Sequence, residues 1–113
     1  MPYIHLRTNV TIDKDKVLLL KARMGQDIVD LPGKSEHWLM AEIEGAKDLF
    51  FQGTKDPCAM IEVQLYGKAD RRSKETLSRH LTGLCQDLLG IDEDRVYVSF
   101  VETPDWAHAG SLF

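Results

Sequence analysis

The chain has few of the features that mark specialised classes of protein. Only two of its 113 residues are cysteine, Cys58 and Cys85, and they fit no metal-binding spacing and no disulfide framework. No apolar run approaches the ~20 residues of a transmembrane helix. The first residues lack the basic flank and apolar core of a secretory signal. The four histidines are scattered along the chain, so we expect a cytoplasmic protein with no metal site.

The chain also has no large excess of either positive or negative charge. The 14 basic and 18 acidic residues give a net charge of −4, and neither sign forms a long run. This balance argues against nucleic acid or an anionic membrane as the main partner. With 43% hydrophobic residues, a chain of this length suits one domain, residues 1–113, with a substantial core.

Hydrophobic periodicity predicts a strand, a helix and a strand in the first half of the chain. Alternating residues predict strands over Tyr3 to Asn9 and His37 to Glu44. Between them, helical spacing predicts a helix from about Asp13 to Leu31, which Pro32-Gly33 ends. A further short edge strand is expected at Leu49 to Phe51.

The second half repeats this order. Ala59 to Tyr66 is predicted as a strand, and a helix follows from about Asp70 to Leu89, with Gly90 as its C′ residue. Arg95 to Glu102 is the last predicted strand, before a short tail. The pattern predicts an α+β fold of two βαβ units with right-handed crossovers. They form one four-stranded mixed sheet, with both helices on one face.

The other face of this sheet has a mixed aromatic and polar character. If the alternation holds, it carries Tyr3, His5, Trp38, Met40, Glu62, Gln64, Tyr97 and Ser99. Such a set is too aromatic for an ordinary wet surface and too polar for a core. A subunit interface or the interior of an oligomer is therefore expected there.

Pro2 is the residue with the most distinctive chemistry. Removal of an initiator Met before a small residue leaves the proline ring nitrogen as a free secondary amine, whereas inside a chain it is a non-basic amide. An α-amine has a pKa of roughly 7.7–8.0, and burial or a nearby cation lowers that pKa. Such a group suits a general base near neutral pH. An ordinary start to a strand is the alternative that Met-Pro alone leaves open.

Several short segments occur in an order that resembles one family from end to end. They are Pro2 to Val10, Pro32-Gly33-Lys34, Phe51 to Ala59, Gly67-Lys68, Asp94 to Val98 and Gly110 to Phe113. In this order they resemble the motifs of the macrophage migration inhibitory factor family, the phenylpyruvate tautomerase branch of the tautomerase superfamily. Typical elements are the Thr-Asn-Val that ends the first strand and the loop that ends in Pro-Cys-Ala.

The resemblance implies a homotrimer whose sheets enclose a central channel, with an active site at each subunit interface. It implies a keto–enol tautomerase that acts on phenylpyruvate-like α-keto acids and needs no cofactor. Pro2 is the implied general base, so a chain that retains Met1 is expected to be inactive. The implied partners are the small α-keto acid and two further copies of the chain.

The resemblance also implies roles for individual residues. Lys34 is expected to bind the substrate carboxylate and to lower the pKa of Pro2, although a solvated lysine after a helix is the alternative. Tyr97 is implied to come from a neighbouring subunit, and the Tyr66 N–H to meet the carboxylate. The implied substrate-binding residues are Lys34, Tyr66, Tyr97, Ser99, Trp38, Trp106, His108 and Phe113. Tyr66, Ser99 and His108 depart from the family pattern, and bulk at Tyr66 should narrow the pocket.

A second class of function stays open at this point. Animal members of the family act as secreted signalling proteins without a standard signal peptide. The alternative is therefore a leaderless, receptor-binding protein with weak or vestigial tautomerase activity. The two functions differ in one requirement, because catalysis needs the free Pro2 amine and receptor binding needs only the surface.

Overall fold

The computed structural model describes all residues from Met1 to Phe113. Its strands and helices are β1 (Pro2–Thr8), α1 (Lys14–Asp27), β2 (Met40–Glu44), β3 (Ala59–Tyr66), α2 (Arg71–Leu89), β4 (Val96–Thr103), β5 (Ala107–His108) and β6 (Ser111–Leu112). Short 3-10 turns lie at Ile28–Asp30, Glu36–Trp38 and Glu93–Arg95. None of the helices has both the length and the apolar character needed to cross a membrane.

The four long strands form one mixed sheet in the order β2-β1-β3-β4. The pairs β1–β2 and β3–β4 are parallel, and β1 and β3 join the two pairs in antiparallel fashion. Each parallel pair is connected through a helix, because parallel neighbours need a long crossover. The predicted α+β fold of two βαβ units is therefore confirmed.

One cluster of 16 buried residues forms the core between the sheet and the two helices. It combines alternate residues of β1 and β3, such as Ile4 and Ile61, with Leu20 of α1 and Leu81 of α2. Because successive strand residues point to opposite faces, both helices cover the same side of the sheet. The other face, which we call the open face, has no covering element from this chain.

Capping residues set the helix boundaries much as predicted. The Asp13 carboxylate accepts a hydrogen bond from the Lys16 N–H at 2.9 Å, and Asp70 accepts one from Ser73 at 2.8 Å. Gly90 ends α2 in the left-handed conformation with φ 65°, which glycine adopts without steric cost. The first helix is shorter than predicted, because its last turn tightens into the 3-10 turn at Ile28–Asp30.

The predicted edge strand at Leu49 to Phe51 is wrong. Only one isolated bridge forms there, between Phe51 and Thr54. Side chains instead donate hydrogen bonds to the carbonyl oxygens of this loop. The Asn9 amide donates to Leu49 O at 3.1 Å and to Lys55 O at 3.0 Å. Arg95 donates to Phe51 O at 3.2 Å. These bonds hold residues 49–57 against the sheet edge without strand pairing.

The predicted second strand begins too early, because Glu36–Trp38 form a 3-10 turn and the strand starts only at Met40. The Glu36 side chain packs against α1 at Gly25, where an added Cβ would lie 1.9 Å from Glu36 Oε2. This contact favours a tight turn over an extended chain. Trp38 therefore does not lie in the row of strand residues on the open face, which corrects its predicted position.

The last strand and the tail also differ from expectation in detail. Arg95 belongs to a 3-10 turn, so the strand begins at Val96 and continues to Thr103. The short tail, for which no strand was predicted, is a small hairpin in which β5 pairs with β6. This hairpin brings the C-terminal residues toward the first residues of the chain.

Candidate active site at the start of the first strand

Pro2 lies buried at the first position of β1, paired with Leu65 of β3. Its nitrogen is an amide here because Met1 precedes it. The Met1 carbonyl oxygen accepts a hydrogen bond from the Tyr66 N–H at 3.1 Å. The chain start is thus held against the end of β3, with its backbone aligned for sheet pairing.

Lys34 reaches the same place from the turn after α1. Its Nζ donates a hydrogen bond to the carbonyl oxygen of Tyr66 at 3.1 Å. Burial, and then the positive charge of Lys34, lower the pKa of the Met1 amine below its usual range. The structure therefore places a lysine close enough to the chain start to influence an amine there electrostatically.

Aromatic and imidazole rings form a continuous wall beside these groups. The rings of Tyr66 and Phe113 lie 5.5 Å apart, and Phe113 stacks on His108 at 6.5 Å between ring centroids. His108 meets Trp38 edge-on at 5.4 Å, and Trp38 meets His37 in the same way at 4.7 Å. The wall offers the apolar surface that an aryl ligand needs.

The C-terminal hairpin explains how Phe113 and His108 reach this wall. The Phe113 N–H donates to the Trp106 carbonyl oxygen at 3.0 Å, which closes the hairpin at its ends. His108 pairs with Ser111 in the same hairpin. One chain therefore brings together six of the predicted site residues, which are Pro2, Lys34, Trp38, Tyr66, His108 and Phe113, with Trp106 at the base of the hairpin.

Tyr97 and Ser99 are not brought to this place by their own chain. Tyr97 pairs with Met60 and Ser99 with Glu62, whereas Pro2 pairs with Leu65. At ~3.3 Å per strand residue, Met60 lies five positions or roughly 16 Å from Leu65, and Glu62 lies three positions or roughly 10 Å from it. Tyr97 and Ser99 can therefore complete a site with Pro2 only from another copy of the chain.

Two residues that contact predicted site residues were not themselves predicted from the sequence. His37 extends the aromatic wall next to Trp38, and Phe51 packs edge-on against Tyr97 at 4.8 Å. His37 was assigned to a strand, where its neighbour Trp38 would face the other way. Phe51 was recognised only as part of a loop motif, since its ring contact depends on how the loop folds back on β4.

The two cysteines have no part in this arrangement. Both are free and buried, and burial raises the pKa of the Cys85 thiol to about 12. A thiol in that state is protonated at neutral pH and is a poor nucleophile. The candidate chemistry thus rests on the chain start and Lys34.

The sheet of two parallel strand pairs, with a proline at the start of its central strand β1 and a lysine close by, defines a protein of the tautomerase fold. A family model described as "Macrophage migration inhibitory factor (MIF)" matches residues 1–113. The chain belongs to this family, which lies within the tautomerase superfamily.

Individual relatives agree with this assignment over the full length. The macrophage migration inhibitory factor homolog of Trichuris trichiura is 30% identical over 119 residues and covers 100% of both chains. The homolog of Brugia malayi is 28% identical over 115 residues, covering 100% of this chain and 99% of its own.

Solved structures agree on the fold. Leishmania major MIF2 superposes with a TM-score of 0.93 at 24% identity, covering 100% of this chain and 97% of its own. The macrophage migration inhibitory factor of Toxoplasma gondii gives a TM-score of 0.89 at 22% identity, over 98% and 99% of the two chains. At these identities the likeness concerns the fold alone.

Proposed function

We propose that the chain, once Met1 has been removed, is a cofactor-independent keto–enol tautomerase of phenylpyruvate-like α-keto acids. The observation that carries this proposal is the position of Pro2, buried at the start of the central strand β1 with Lys34 beside the chain start. A neutral secondary amine in that position is a base with a pKa near the working pH. The test is the ketonisation rate of enol phenylpyruvate by a chain that begins with Pro2.

The proposed reaction moves one proton between carbon and oxygen. In the enolising direction, the Pro2 nitrogen accepts a proton from the carbon next to the ketone. The C–H electron pair becomes the new C=C bond, and the carbonyl π electrons move to oxygen, which then receives the proton from the Pro2 nitrogen. Lys34 holds the substrate carboxylate, and the aromatic wall binds the aryl group. No electrons leave the substrate, so no redox partner is required.

Removal of Met1 has two consequences in this proposal. It converts the Pro2 nitrogen from an amide into an amine, and it frees the Tyr66 N–H that now bonds the Met1 carbonyl oxygen. The freed N–H lies at the end of β3 next to Lys34, which bonds the carbonyl of the same residue. A substrate carboxylate could then accept from both donors in the place of the Met1 oxygen.

A homotrimer is part of the proposal because one chain holds only part of the site. Tyr97 is 60% exposed on the open face, and Met40 is 69% exposed on the same face. A shared interface would cover these side chains and bring Tyr97 and Ser99 to a neighbouring Pro2.

Sedimentation equilibrium at micromolar concentration should give the mass of three chains. A stable monomer in that experiment would contradict the shared site.

Replacing Lys34 should mainly weaken substrate binding. A hydrogen bond between charged groups contributes about 1.5–3 kcal/mol, so Lys34→Ala should raise KM for the α-keto acid by about 10-fold or more. The pKa of the terminal amine should rise as well, because a nearby positive charge is lost. Steady-state kinetics across pH measures both effects. Lys16→Ala, an exposed lysine on α1, is the matched control and should change neither.

Replacing Tyr66 should change which substrates are accepted. Its ring packs on Phe113 in the aromatic wall, so the smaller side chain of Tyr66→Ile should open space for an aryl group. Relieving such crowding is typically worth about 1–3 kcal/mol. We expect kcat/KM for enol phenylpyruvate to rise about 10-fold, with little change for a small aliphatic enol. Equal changes for both substrates would mean that the Tyr66 ring does not limit the pocket.

A receptor-binding role remains the alternative proposal, and it requires only the folded surface. The two functions separate in one comparison of the chain with and without Met1. Catalysis should depend on Met1 removal, whereas binding to a receptor should not.

A further inference from the structure

Three metal-ligating side chains from β1 and β2 lie together on the open face. In the parallel pairing of β1 and β2, His5 lies opposite Glu42, and Glu44 follows two residues later on the same face. His5 Nε2 is 2.5 Å from Glu44 Oε1 and 3.9 Å from Glu42 Oε1. One donor atom from each of the three residues lies within 4.8 Å of the other two.

We propose that His5, Glu42 and Glu44 form a binding site for Zn²⁺. One imidazole nitrogen and two carboxylate oxygens are ligands that Zn²⁺ accepts, and two carboxylates balance its charge. Three protein ligands leave the fourth tetrahedral position for water or an added ligand. Zn²⁺ binding to Nε2 requires the His5 tautomer with its proton on Nδ1, so the proton between Nε2 and Glu44 moves to Nδ1 or, from a protonated ring, passes to solvent.

The surrounding residues hold the ligands in position. The three side chains stand on two hydrogen-bonded strands, and His5 has only 14% of its side chain exposed. Lys47 Nζ contacts Glu44 Oε2 at 2.7 Å, which leaves Oε1 directed toward His5. The Tyr3 hydroxyl donates to Glu42 Oε1 at 2.5 Å. Partners of this kind orient metal ligands and reduce the reorganisation that binding requires.

A second histidine–carboxylate cluster offers an internal comparison. His80 Nδ1 lies 2.5 Å from Asp30 Oδ2 and 4.0 Å from Asp27 Oδ1. The three donor atoms of this cluster do not all lie within 4.8 Å of one another, unlike those around His5. A histidine and two carboxylates are thus present in both clusters, but only in the His5 cluster does the strand pairing bring three donor atoms close enough to bind one ion.

The test is isothermal titration of Zn²⁺ into the untagged chain, with the wild type, His5→Gln and His80→Gln compared. We expect one Zn²⁺ per chain in the wild type, at least about 10-fold weaker binding in His5→Gln, and unchanged binding in His80→Gln. No binding to the wild type, or binding lost in His80→Gln but kept in His5→Gln, would overturn the proposal.

Glu42→Gln serves as a second ligand variant, since half of this side chain is exposed in the single chain and Gln keeps its size, so the fold should be kept. It should also weaken Zn²⁺ binding about 10-fold, and unchanged binding would contradict the three-ligand site. Melting curves recorded in a chelator show whether each variant is folded. The measurement needs neither Met1 removal nor catalysis, so the site and the proposed tautomerase stand or fall separately.

Discussion

The chain without Met1 should ketonise enol phenylpyruvate at least about 100-fold faster, in kcat/KM, than the same chain with Met1 retained. General base catalysis contributes about 10²–10⁴-fold to a rate, and an amide nitrogen cannot accept the proton. The retained residue also occupies the Tyr66 N–H, which is the donor that we assign to the substrate carboxylate. Removal of Met1 should therefore create the basic Pro2 amine and free the Tyr66 N–H for the substrate carboxylate at the same time.

A single preparation can supply both forms. The chain is treated with a methionine aminopeptidase, intact mass reports the fraction processed, and the rate is measured on samples taken along the way. The rate should rise in proportion to the processed fraction, while the melting temperature stays nearly constant. Equal rates before and after processing would show that Pro2 is not the base. Pro2→Gly, which still exposes a terminal amine, should lose activity relative to Pro2, and full activity in that variant would also contradict the assignment.

Leu20→Ala should lower the free energy of unfolding by about 2–5 kcal/mol. Leu20 is fully buried in the core cluster, between α1 and the sheet. Truncation removes apolar contacts and leaves a cavity that the packed core cannot fill. Leu18→Ala is the matched control, since Leu18 lies two residues earlier in the same helix and is 65% exposed. This control should change the free energy of unfolding by no more than about 0.5 kcal/mol.

Urea denaturation of the three proteins at one chain concentration measures these differences. The concentration must be held equal, because assembly of the folded chain adds to its apparent stability. Similar losses in both variants would show that burial in the core does not determine the effect, because alanine is the better helix former and cannot destabilise α1 through propensity. A loss in Leu18→Ala alone would indicate that the exposed face of α1 is covered by another molecule.

The elements that were predicted correctly are those that local rules govern. Alternation predicted Ala59–Tyr66 to the residue, since every second side chain of that strand is buried. Asp13 predicted the start of the first helix because a short carboxylate satisfies free N–H groups in the first turn, and the structure shows that Asp70 caps α2 in the same way. The predictions failed where a distant contact replaced a local preference. Asn9 and Arg95 hold the loop that was predicted as an edge strand, and Glu36 against Gly25 turns the chain before β2.

In the candidate active site, too, some features could be predicted from the sequence and others depend on the fold. The resemblance to the family indicated Pro2 and Lys34, because neither a proline after Met1 nor a lysine after a helix is distinctive by itself. The contact of Lys34 with Tyr66, and the wall from Trp38 to Phe113, depend on the crossover of α1 and on the C-terminal hairpin. Register between strands is a tertiary property, since it is set by which faces are buried together.

Neighbouring residues were enough to predict the main strands and helices, the two repeated units and the family, because periodicity, caps and short motifs are local features of the sequence. The distance between Tyr97 and Pro2 in one chain, and the position of Glu42 and Glu44 beside His5, depend instead on how the strands pair. Residues that are 39 positions apart, such as His5 and Glu44, meet only when two parallel strands pair in one particular register.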